Sequence, residues 1–96
     1  MYFYHWAFRQ KKSHELLNEI VRRELHEAGF DSDSPASAWE KTGVHGDTVA
    51  VVTAVPLEGH ATYVHVLAMS EANASADHWA ATLRDGIKNS KLVLID

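Results

Sequence analysis

The chain of 96 residues contains no cysteine. Disulfides, thiol nucleophiles, Fe–S clusters and Cys-based zinc sites are therefore excluded together. No apolar run approaches the ~20 residues that a bilayer crossing requires, so no membrane span is expected. Positive charge is in the minority: nine Lys and Arg stand against thirteen Asp and Glu, a formal net charge of −4. Long-range electrostatics thus oppose a polyphosphate partner, and nucleic acid is not expected to bind. The opening Met-Tyr-Phe-Tyr-His-Trp-Ala-Phe has no basic segment before it and no small-residue cleavage site after it. It does not have the form of a secretory leader, and the expected location is the cytoplasm.

What is present is enough to fold. Hydrophobic residues make up 46% of the chain and charged residues 23%, with three Trp, three Tyr and three Phe. At this length folding buries somewhat over ~60% of the unfolded surface, so residues 1–96 are expected to form a single α+β domain.

Tyr2 to Phe8 is aromatic and apolar, too short for a typical helix, and reads as a strand. Arg9, Gln10, Lys11 and Lys12 read as a polar turn, and Ser13 as the N-cap of a helix with Glu15 in its first turn. Leu16, Leu17, Ile20, Val21, Leu25 and Ala28 draw one stripe along that helix. Gly29 is placed to end it in a left-handed conformation, with Phe30 folding back onto the last turn. From Asp31 to Asp47 the composition favours turns, and a short extra strand is expected over Ala36 to Thr42 around Trp39. Thr48 to Val55 is rich in β-branched residues and ends at Pro56; Pro56-Leu57-Glu58-Gly59 reads as a hairpin connection to a return strand, Ala61 to Met69. Asn73 and Ser75 are candidate caps of a second helix carrying Ala76, Trp79, Ala80, Leu83 and Ile87, with Gly86 weakening its end. Leu92 to Ile95 reads as a last short strand.

The resulting order, βαββαβ, resembles the ferredoxin-like split βαβ sandwich. That fold implies a four-stranded antiparallel sheet with two helices on one face, and the strands Tyr2–Phe8 and Ala61–Met69 at its centre. An antiparallel sheet with one wet face should alternate apolar and polar residues. The first strand instead carries Phe3, His5 and Ala7 on one side and Tyr2, Tyr4, Trp6 and Phe8 on the other. The third carries Tyr63, His65 and Leu67 against Thr62, Val64, Val66 and Ala68. Neither side is polar. Covering ~400 Å² of such a face is worth about 10 kcal/mol before association costs, so a homodimer or a small-molecule ligand at the helix-free face is expected.

Seven histidines do not make a metal site. His14 and His26 lack an i, i+4 partner, and His60 and His65 differ by an odd number and would point to opposite faces of one strand. No cofactor or metal is expected. His5 and His65 are the candidate catalytic bases, since they would lie on adjacent strands in an apolar setting; satisfied structural histidines are the plainer account. Phe3, Tyr63 and Trp39 are candidate ligand-binding residues. Arg9, Lys11, Lys12 and Ser13, just before the first helix, are candidate anion binders, although no glycine-rich loop accompanies them.

Known families of this fold can be tested on residues. Arg9-Gln10-Lys11-Lys12 does not match the Gly-rich loop of acylphosphatases, and the Cys-x-x-Cys of heavy-metal-associated domains is absent. Tyr4, Trp6 and Tyr63 echo the sheet aromatics of RNA-recognition domains without their basic-glycine-aromatic signature. The element order is also similar to that of dimeric α+β barrel proteins, some of them small monooxygenases that pair sheets face to face, without their Tyr-Pro-Gly-like stretch. The function expected from these readings is a noncatalytic binding or assembly module that self-associates through its sheet. The alternative is a small dimeric enzyme with a His-containing pocket.

Overall fold

Ser13 starts the first helix as the pattern predicts: its backbone is extended and its side chain accepts a hydrogen bond from the Leu16 N–H. Helix α1 runs His14–Glu27 and buries Leu17, Ile20, Val21 and Leu25. It ends in a Schellman motif. Phe30 N–H bonds Leu25 O, Gly29 N–H bonds His26 O, and Gly29 sits at φ 85°. Phe30 then packs back into the core beside Leu25.

The computed structural model describes residues 1–31 and 39–93. Around α1 it places β1 (Tyr2–Gln10), β2 (Glu40–His45), β3 (Thr48–Leu57), β4 (Ala61–Ser70) and α2 (Asn73–Lys88). Among the described residues four antiparallel strands form one sheet in the order β1-β4-β3-β2, an α+β architecture. The core lies between one face of that sheet, through Ala50, Val52, Val64 and Val66, and the buried stripes of both helices, with Leu83 and Ile87 from α2.

The ferredoxin-like order is not what forms. Among the described residues the element order is βαβββα, and Tyr2–Gln10 is an edge strand, while β4 and β3 are central. Two local causes account for the difference. A strand does form near Trp39, but at Glu40–His45, where Gly46 and Asp47 turn it tightly onto β3 and give the sheet its fourth strand. Gly46 has φ 60°, and Asp47 is not among the positive-φ residues, the sign pattern of a type II′ hairpin turn. The part of the expected strand over Ala36–Ala38 lies outside the described residues. At the other end, Leu92 and Val93 are not in a strand, and Leu94 and Ile95 lie outside the described residues. Lys12 Nζ donates to Ser90 O at 3.0 Å and Leu92 N–H to Ser90 Oγ at 3.3 Å, and Leu92 packs against the core instead of pairing with the edge of β1.

Smaller corrections follow from the same geometry. Arg9 and Gln10 belong to β1, opposite Tyr63 and Thr62, so the polar turn is shorter than expected. Strand β3 continues through Pro56 to Leu57. The N-cap of α2 is Ala72, without a side-chain cap bond; Asn73 Oδ1 instead accepts the Tyr4 hydroxyl at 2.6 Å. His60 sits in the β3–β4 turn at φ 56°, outside the strand that holds His65.

Candidate functional site

Register assigns each strand residue to a face, because directly opposed residues of an antiparallel ladder lie on the same side. The buried residues Ala50, Val52 and Ala54 of β3 and Val64, Val66 and Ala68 of β4 face the helices. Their alternates make the helix-free face. Four rows cross it: Phe3–Met69–Val49–Val44, His5–Leu67–Val51–Thr42, Ala7–His65–Thr53–Glu40, and Arg9–Tyr63–Val55. The first row is apolar on all four strands, with Phe3 64% and Val44 45% exposed. Among the described residues of these rows, charge is confined to Arg9 on one edge strand and Glu40 on the other.

The choice between the two apolar faces of β1 is made by α2. Trp6 and Phe8 lie on the helix side, where the Arg84 guanidinium stands 4.1 Å from the Trp6 ring centroid and Lys88 Nζ 5.6 Å from that of Phe8. The long stems of these cations shelter aromatic rings at an edge too wide for two helices to cover.

His5 and His65 come together on the helix-free face. His65 Nε2 and His5 Nδ1 are 3.3 Å apart, and the ring centroids 5.3 Å apart at 52°. One imidazole must donate and the other accept, so the bond exists only while at least one ring is neutral. Such a pair can pass a proton between rings. Among the described residues no group of three or more His, Cys, Asp or Glu side chains is arranged to hold a metal ion.

The other candidates do not converge. Phe3 and Tyr63 share the face but stand at opposite ends of it, six residues apart along β4 in register, or about 20 Å. Trp39 lies elsewhere: its ring stands edge-on to His14 on α1, with centroids 6.4 Å apart, and its carbonyl accepts the Ala54 N–H. The four proposed anion-binding residues are also divided. Arg9 is on the sheet face, Lys11 is exposed, Lys12 holds Ser90, and Ser13 caps α1.

Reading the sequence alone missed Glu40, Thr42 and Val44, which complete the face. The available signal was Gly46-Asp47 between Val44-His45 and Thr48-Val49, a two-residue hairpin turn. It also missed the joint that fixes β2 against the helices. Gly43 is buried with its α-carbon against Phe30, His45 Nδ1 lies 3.1 Å from Gly29 O, and Trp79 packs edge-on to Phe30 at 5.2 Å.

Among the described residues no helix is long and apolar enough to cross a membrane. Comparison with protein-family models, with curated proteins and with solved structures finds no match for the chain.

Proposed function

We propose that this chain is a small noncatalytic binding and assembly module that pairs with a second copy of itself through the helix-free face of its sheet. The observation that carries the reading is the Phe3–Met69–Val49–Val44 row, apolar from edge to edge on the side away from both helices. Four strands about 4.8 Å apart and eight residues of strand length make a face of about 500 Å². Two copies then bury about 1,000 Å², at the lower limit for a specific interface and in the range of weak, reversible association. The same reading takes the chain to be cytoplasmic, and its charge of −4 disfavours nucleic acid as the occupant.

Leu67→Asp tests it, with Tyr63→Asp beside it. Both positions lie on the face and outside the core, so far-UV circular dichroism is expected to be unchanged while the dimer dissociates in light scattering. A dimer that survives both carboxylates contradicts the reading.

A second reading, a small dimeric enzyme with a pocket between paired sheets, is favoured by the His5–His65 hydrogen bond alone. In it one neutral imidazole acts as base and the other holds its orientation. A cavity lined by both rings in a dimer structure supports it; a dry, closed interface removes it.

A further inference from the structure

Two face-to-face arrangements are open to a pair of aligned sheets, with the two-fold axis lying either along the strands or across them. We infer that the axis runs along the strands, between β3 and β4, so that β1 of one copy covers β2 of the other. The inference rests on the self-association proposed above and specifies its geometry.

The register decides between the two. An axis along the strands keeps each row over its own row and exchanges β1 with β2 and β4 with β3. Phe3 then faces Val44 of the second copy, Met69 faces Val49, and Leu67 faces Val51. The polar residues meet one another as well: His5 faces Thr42 and His65 faces Thr53, hydroxyls able to bond whichever ring nitrogen is turned to them. Arg9 lies one row beyond Glu40, about 7 Å along the strand, across sheets about 10 Å apart, a span their side chains can close. The two-fold makes that ion pair twice.

An axis across the strands, through the middle of the same rows, does the reverse. It sets Arg9 over Phe3, Leu67 over His65 and Glu40 over Thr42, leaving both charges without a counter-charge at the contact. Desolvating unpaired charge opposes association, so the face is self-complementary in one sense only.

The experiment uses Arg9→Glu and Glu40→Arg, separately and mixed in equal amounts. Each variant alone places like charges together twice and is expected to dimerise at least ~10-fold more weakly than the parent. Mixed, the carboxylate introduced in one copy faces the guanidinium introduced in the other, and the unchanged Glu40 and Arg9 face each other at the second contact. Native mass spectrometry is then expected to show a ratio of heterodimer to total homodimer at least ~10-fold above the statistical value of one. Circular dichroism of each variant confirms the fold. Homodimers and heterodimer in the statistical 1:2:1 ratio overturn the strand-parallel axis while leaving self-association standing, as does pairing through the open edge of β1. A monomeric parent overturns both.

Discussion

His5 on β1 and His65 on β4 share a hydrogen bond on the helix-free face, Nδ1 to Nε2 at 3.3 Å. Neither ring makes the bond alone, so its contribution is a coupling between the two positions. In a double-mutant cycle with His5→Ala and His65→Ala, urea unfolding at pH 8 is expected to give a coupling of about 0.5 kcal/mol, the low end for an intramolecular hydrogen bond, because the pair is exposed. A coupling of zero contradicts the bond.

Glu24 on α1 predicts how stability varies with pH. Its carboxyl is held above the usual carboxylate range, first by burial where α1 meets α2 at Gly86 and then by the charge of Glu27, with Arg23 opposing. The folded state therefore keeps this proton to higher pH than the unfolded state does. Its contribution favours folding below the ordinary glutamate range and is lost as pH rises from there through the raised folded value. Glu24→Gln is expected to remove that part of the decline, leaving the variant the more stable at neutral pH in urea melts between pH 4 and pH 8. An identical pH profile contradicts the assigned burial.

Gly43 is where β2 passes beneath Phe30. A Cβ added there stands 2.9 Å from Phe30 Cβ, with Leu25 Cδ2 at 3.6 Å. Gly43→Ala overpacks a buried joint and is expected to cost about 1–3 kcal/mol in urea unfolding. Because the clash lies on the helix side of the sheet, the change is expected to act on the fold before it acts on any sheet contact.

His60 holds φ 56° in the β3–β4 turn, a conformation that costs an L-residue roughly 1–2 kcal/mol. Glycine avoids that cost but adds freedom to the unfolded chain, roughly 0.5–1 kcal/mol. His60→Gly is expected to stabilise the protein by about 0.5–1 kcal/mol, read as a raised thermal midpoint. A lowered midpoint contradicts the strain.

Sequence patterning made some elements legible and hid others for physical reasons. Ser13, the Leu17–Ile20–Val21–Leu25 stripe and Gly29 are local signals acting within one helix, and α1 forms where they place it. Strand β2 was expected a few residues early, over Ala36 to Thr42, because Glu40-Lys41-Thr42-Gly43 has little apolar content to fix its bounds; it is held by its pairing with β3 and by Phe30 over Gly43, both contacts across the chain. Leu92 and Val93 have strand composition, but the hold of Lys12 on Ser90 sends Leu92 to the core. For the candidate site, alternation grouped Phe3, His5 and Ala7 correctly and found Tyr63, His65 and Leu67 for the same reason. It could not choose the outward face, since both were apolar; that depended on where α2 places Arg84 and Lys88.

Self-association is most directly tested by sedimentation equilibrium of the unmodified chain across a wide concentration range at neutral pH. The expected result is a mass approaching twice the 10.7 kDa of one chain, falling towards 10.7 kDa on dilution. A mass of 10.7 kDa at every concentration contradicts the account.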